Sequence, residues 1–248
     1  MILMYHNIKD KSGFNTVSTN FFYQQMEYIS SRGKYSLLSM DEYINNLQNQ
    51  SIPNPLTVTL DDGYRSLLDK VLPVIKELEI PISIFLSTDF IGSHNVWDVQ
   101  NGHMQIEIST WDELESLSKE ELVTIGSHGV SHLSHGKLNA NDEKSEMLKS
   151  KEDLETRLKI PVEYYSFPYG QLRDIGKMSK EHLQSAGYKA ALSTIWSRSN
   201  TLSDLYCLHR LEISENDDMN SFIRKLESAF DMNWCRQQLK NIYYYIKI

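Results

Sequence analysis

The stretch Leu56-Thr57-Val58-Thr59-Leu60-Asp61-Asp62-Gly63 decides how this chain is read. Five residues have the alternation of a buried strand and then run directly into two carboxylates and a glycine. A strand with that ending sets two charges at the rim of a sheet or barrel. Successive strand side chains point to opposite sides, so the two acids are expected to do different work. Gly63 permits a sharp turn and a close approach by another group. Taken alone, Asp-Asp-Gly is also an ordinary solvated turn. Its meaning depends on what the rest of the chain brings to it.

Working outward, strands are expected at Met1–Tyr5, Tyr35–Leu38, Leu56–Leu60, Ile82–Leu86, Val123–Ser127, Tyr164–Phe167, Lys189–Ser193 and Leu208–Ile213. Helical patterns lie between them. Ser39 with Glu42 and Thr110 with Glu113 read as capping boxes. An irregular turn through Tyr64–Lys70 should lead into a helix with Pro73 in its first turn. Further helices are expected at Asp142–Leu158, at Ser179–Ala186 closed by Gly187, and at Met219–Phe230. Strands alternating with helices imply a parallel α/β architecture. The length of 248 residues suits one domain spanning 1–248, a distorted (β/α) barrel with seven or eight mostly parallel strands. The polar stretch Ser87–Glu107, carrying Trp97 and Asp98, is long enough to suggest a functional loop. The aromatic tail Asn241–Ile248 can pack or pair as an edge.

Composition narrows the function classes. The net charge of −8 carries no electrostatic footprint for nucleic acid. Cys207 and Cys235 do not make a disulfide framework. No window approaches the roughly 18 apolar residues of a membrane span. The segment Met1-Ile2-Leu3-Met4-Tyr5-His6 lacks the basic region and cleavage site of a secretory signal, so a cytoplasmic location is expected.

In such a barrel, residues just past the C-terminal strand ends converge on one mouth. That rule collects His6, Asp61, Asp62, His128, His132, Pro168, Tyr169 and His209. His128 and His132 are four apart, and on a helical turn they would share one face. Two imidazoles and a carboxylate make a site for a borderline metal such as Zn²⁺. Histidines at this spacing also occur on solvated helices.

Thr59-Leu60-Asp61-Asp62-Gly63, Ser127-His128-x-x-x-His132 and Phe167-Pro168-Tyr169-Gly170 resemble, in order and separation, the first three signature motifs of the polysaccharide deacetylases (carbohydrate esterase family four, with the NodB homology domain). Met4-Tyr5-His6, Trp111-Asp112-Glu113-Leu114 and Ala186-Gly187-Tyr188 resemble a bacterial branch of that family. The resemblance implies that Asp62, His128 and His132 hold one divalent metal, Zn²⁺ first, with Co²⁺, Ni²⁺ or Mn²⁺ as alternatives. It implies Asp61 as general base and the Tyr169 backbone N–H as an oxyanion donor. The family's general acid is a late histidine preceded two residues earlier by leucine. Here the candidate is His209, with leucine adjacent, and His6 is its rival. Ser166 stands where the family often has an arginine that orients the base, so Arg173 or Arg210 would have to replace it. Trp196 lies near the family's Asp/Trp motif and either lines the acetyl pocket or packs in the core. Trp97 either stacks on sugar or anchors its loop.

The function implied is removal of an N-acetyl group from an amino sugar (a polysaccharide precursor, a nucleotide- or lipid-linked sugar, or an oligosaccharide), with release of acetate. Two alternatives remain open at this point: an allantoinase-like C–N hydrolase on a small amide, and a non-catalytic carbohydrate-binding relative. The partner expected is an N-acetylated sugar. Nothing in the sequence addresses the oligomeric state.

Overall fold

Backbone pairing in the computed structural model, which describes residues 1–227 apart from 12 and 32, builds on β1 (Ile2–Tyr5). A short parallel ribbon of β2 (Asn7–Lys9) and β3 (Thr16–Ser18) follows, then α1 (Thr19–Ser31), β4 (Ser36–Leu37) and α2 (Met40–Asn49). Next come β5 (Pro55–Leu60), α3 (Leu72–Glu77), β6 (Ile82–Leu86), α4 (Val96–Val99), α5 (Trp111–Leu117) and β7 (Val123–Ser127). The rest is α6 (Ala140–Leu158), β8 (Tyr164–Ser166), α7 (Ser179–Ser185), β9 (Ala190–Trp196), β10 (Leu208–Glu212) and α8 (Met219–Glu227).

Parallel ladders run β1-β10-β9-β8-β7-β6-β5, and β1 also pairs β5 through Ile2↔Thr57 to Tyr5↔Leu60. That last pairing closes a seven-stranded parallel barrel. β4 is the eighth strand, and it joins only the entry to β5, at Ser36↔Pro55 and Leu37↔Leu56.

Both strand faces are buried, and each has a different neighbour. Leu3, Tyr5, Val58 and Leu60 pack outward with Phe22, Met26 and Ile29 of α1. Ile2, Phe85, Tyr164, Leu192 and Leu208 fill the lower interior, which Met40, Tyr43 and Ile44 of α2 close from below. α2 is held at its start by the expected Ser39–Glu42 capping box, and α5 by the Thr110–Glu113 box. With the base plugged by apolar side chains, the polar interior is confined to the C-terminal rim.

Several local details depart from expectation. β2 and β3 were not foreseen, because three-residue strands carry too little periodicity. β9 runs on to Trp196, and its register against β10 shifts between Leu208 and Arg210. After Gly63 the irregular turn is a π-helical segment, Leu67–Val71, which leads into α3 with Pro73 in its first turn. Ser87–Glu107 is not an open loop. It holds a 3₁₀ turn at Thr88–Phe90 and α4, and a His94↔Glu107 bridge ties it back on itself. The tail Asn241–Ile248, and the expected last helix beyond Glu227, lie outside the described residues. No helix among the described residues is long and apolar enough to cross a membrane.

Candidate metal centre and active site

β5 delivers Thr59 and Asp61 to the barrel interior. Asp62 then adopts a left-handed φ of 70° and Gly63 one of 68°. The strict alternation expected of the two acids therefore does not apply. The strand ends at Leu60, and the left-handed turn swings the Asp62 carboxylate towards the same mouth as Asp61. Gly63 is required sterically as well as conformationally, since a Cβ there would lie 2.4 Å from Leu86 Cδ2.

The two histidines also reach the mouth differently from the helical expectation. The chain after β7 is a loop, not a helical turn. Gly129 takes φ 79° and His132 takes φ 51°. Glu146 of α6 holds this loop: its carboxylate accepts the Val130 and Ser131 N–H groups at 2.8 and 2.9 Å, and the Ser131 hydroxyl as well. Tyr169, after β8, is a third residue of the site in the left-handed region, at φ 60°. Such conformations in three loops around one mouth mark a place where the fold over-determines the backbone.

The resulting arrangement is tight. His132 Nε2 and His128 Nε2 lie 3.3 and 3.5 Å from Asp62 Oδ1. All three residues are buried, and one ligand atom from each lies within 4.8 Å of the others. His128 Nδ1 sits 2.7 Å from the Ser166 carbonyl, which fixes that nitrogen as the N–H and leaves Nε2 as a lone pair. Burial pushes the His128 imidazole down to about 4, outweighing the pull of Asp61, so the ring is neutral at pH 7. Asp62 Oδ1 is buried with no hydrogen-bond partner. An orphan carboxylate oxygen facing imidazole nitrogens is costly unless a cation sits between them. The donor set of two imidazoles and one carboxylate suits a borderline divalent ion. Asp62, His128 and His132 therefore form a triad able to bind a metal, the one such group among the described residues.

Asp61 has a separate environment. Arg210, 1% exposed, donates to Asp61 Oδ1 at 2.8 Å and to Oδ2 at 2.7 Å. Its other N–H groups reach the Ser193 carbonyl, Thr59 Oγ1 and Ser166 Oγ, so all five guanidinium donors are used. Ser166 Oγ also donates to Asp61 Oδ2 at 3.1 Å. Burial alone would raise the Asp61 carboxyl, but Arg210, His128 and His6 together hold it below the ordinary carboxylate range. Of the two cations the sequence offered to replace the missing arginine, Arg210 makes the contact. Arg173 is exposed and pairs with Asp174.

The remaining candidates divide. His6, half-buried at the end of β1, lies close enough to lower both Asp61 and Asp62. The His209 backbone is tied to Asn200, and His209 lies between Leu208 and Arg210, whose side chains belong to the barrel interior, so strand alternation assigns it to the opposite face. Of the two histidines, His6 is the one linked electrostatically to both acids. Pro168 is buried, and the exposed Tyr169 ring packs edge-on to His132 at 5.0 Å, with its carbonyl held by Thr194 Oγ1. Trp196 belongs to the main hydrophobic core. Trp97 is not open for sugar stacking: it is 8% exposed and lies flat on the His132 ring at 3.9 Å and 14°. Sequence reading missed the contacts of Glu146 and Tyr64, although Tyr64 directly follows the Asp-Asp-Gly turn.

Comparison with known proteins agrees with this geometry. The pattern that defines polysaccharide deacetylases matches residues 48–191. YxkH of Bacillus subtilis (strain 168), named by inference as a polysaccharide deacetylase, is 25% identical over 92% of this chain and 76% of its own length. The poly-β-1,6-N-acetyl-D-glucosamine N-deacetylase of Escherichia coli (strain K12) is 21% identical over 90% of this chain, which spans 38% of that longer protein. The Streptococcus pyogenes deacetylase PplD, solved with acetate, superposes with a TM-score of 0.75 at 19% identity, covering 91% of this chain and 97% of that one. At that identity the likeness is one of fold.

Proposed function

The chain belongs to the polysaccharide deacetylase family, and from that premise we propose that it hydrolyses the N-acetyl group of an N-acetylhexosamine residue in a glycan or glycan precursor, releasing acetate and a free amine. The observation that carries this reading is the division of labour between adjacent acids. Asp62 faces two imidazoles, whereas Asp61 is held ionised by Arg210 and left out of the triad.

Asp62, His128 and His132 would hold a divalent cation, Zn²⁺ by donor set. Such an ion supplies Lewis acidity, lowering the pKa of water and polarising a carbonyl. Asp61 accepts the proton of the attacking water. The Tyr169 N–H, fixed by the Thr194 bond to the same residue, donates to the oxygen that gains charge as the acetyl carbon becomes tetrahedral. His6 gives a proton to the departing nitrogen, taking the role first assigned to His209. The name of the Escherichia coli relative supports an N-acetylglucosamine polymer as the substrate class.

The test is acetate release from N-acetylglucosamine oligomers by Zn²⁺- or Co²⁺-loaded protein. Activity that is abolished in Asp61→Asn supports the reading. A protein that binds metal yet releases no acetate from any N-acetylhexosamine substrate, while cleaving a small cyclic amide, would replace it with the C–N hydrolase alternative.

A further inference from the structure

The segment 94–107 is the long excursion that the sequence marks and the reaction does not use. Its short helix α4 carries Trp97 and Asp98, and both turn towards the metal triad. Trp97 covers the outer face of His132, and Phe90 packs edge-on behind Trp97 at 5.0 Å. Asp98, 8% exposed, accepts the Tyr64 hydroxyl at 3.3 Å on Oδ2. Tyr64 is fully buried and stands at the end of the left-handed Asp62–Gly63 turn, where a bridge to Ile108 fixes its backbone. Asp98 is fixed in turn by Asn95, whose Nδ2 donates to the same Oδ2 at 3.1 Å. Asn95 Oδ1 accepts the Ile106 N–H at 2.6 Å and its amide also donates to the Met104 carbonyl, closing the excursion on itself.

We propose that Asp98, acting through Tyr64, is a positioning residue for the metal ligand Asp62, and that α4 is a clamp that orients two of the three ligands from outside the barrel. Donation to Asp98 anchors Tyr64, and with it the Asp62–Gly63 turn just before it, to α4. Asp62 Oδ1 is thereby held towards the histidines, where it has no other partner. The buried Asp98 charge adds to the field that attracts a cation. Trp97 excludes water from the opposite side of the site and holds the His132 ring plane. Partners of this kind, one shell out from a ligand, typically change metal affinity by about 10–100-fold when removed.

This inference rests on the reading of Asp62, His128 and His132 as cation ligands, and the experiment separates the two. Co²⁺ affinity and the visible Co²⁺ spectrum are measured on the full chain for wild type, Asp98→Asn, Tyr64→Phe and the double variant. Met104→Ala, an exposed change on the same excursion, serves as control. Each single variant should weaken Co²⁺ binding by about 10–100-fold and shift the spectrum, and the double variant should lose no more than the larger single loss, because both act along one chain of contacts. Met104→Ala should bind as wild type does. If wild type binds no Co²⁺, the ligand reading itself fails. If wild type binds and both single variants stay within about two-fold of it, or their losses simply multiply, the inference is overturned. Tyr64→Phe removes one oxygen without altering ring packing and decides the matter if Asp98→Asn does not fold.

Discussion

Replacing Arg210 by methionine tests the feature on which the barrel mouth most depends. Arg210 and Asp61 are both almost fully buried, and the pair is bidentate at 2.7–2.8 Å. Methionine retains much of the packed stem but removes five donated hydrogen bonds, leaving the buried Asp61 carboxylate with only the Ser166 hydroxyl among protein donors. Breaking one side of such a pair costs about 3–5 kcal/mol, a large share of the roughly 5–15 kcal/mol that holds a domain together. Asp61→Asn, which strands the guanidinium instead, should cost a similar amount. The double variant has neither orphan charge, so its loss should fall well short of the sum. Urea unfolding of metal-free protein, followed by circular dichroism at pH 7, measures all four corners of the cycle.

Acid adds a second check. In wild type the folded Asp61 carboxyl lies below its unfolded value of about 3.8, so its stabilisation is present above that pH and fades as pH falls towards the folded value. In Arg210→Met, burial is no longer offset and the carboxyl rises, so that variant loses stability as pH climbs through and above 3.8. The gap between the two proteins should therefore narrow on acidification. Single losses that add within about 0.5 kcal/mol, or a loss below about 1 kcal/mol for Arg210→Met, would refute the argument.

His6→Ala should lower kcat for acetate release by about 10²–10⁴-fold, whereas His209→Ala, altered on the helix side of β10, should leave kcat near wild type; the reverse order would restore His209 as the acid. Glu146→Gln weakens the carboxylate's hold on Val130 and Ser131, and should speed hydrogen exchange at those amides and weaken metal binding without lowering the melting temperature by more than a few degrees. Burial raises the Glu143 carboxyl, but His135, Ser179 and His182 together bring it below its ordinary 4.5. Its contribution is complete above that value and fades as pH falls, so wild type should lose more urea stability between pH 6 and pH 3.5 than Glu143→Gln does.

The sequence by itself determined what local physics can encode. Alternating strands and helices, two capping boxes and three strand-end motifs were enough for a parallel barrel and for the residues at its mouth, because each signal acts over a few residues and parallel strands end on the same rim. Only tertiary structure decided how those residues are used. Arg210 and Asp61 are 149 positions apart, and their pairing exists only because β1 closes the ring between β5 and β10. His209 and Arg210 differ in role by one position. With His209 and Arg210 adjacent and both polar, the sequence of β10 does not say which side is inside, so their assignment waited on the closed barrel. The helical spacing of His128 and His132 suggested a helix where the chain forms a loop instead, since Gly129 and a left-handed His132 bring the imidazoles together without one. Trp97, which the sequence left as either a sugar-stacking surface or a loop anchor, is buried on His132 because the excursion that carries it folds back against the mouth through contacts of its own that no periodicity announces.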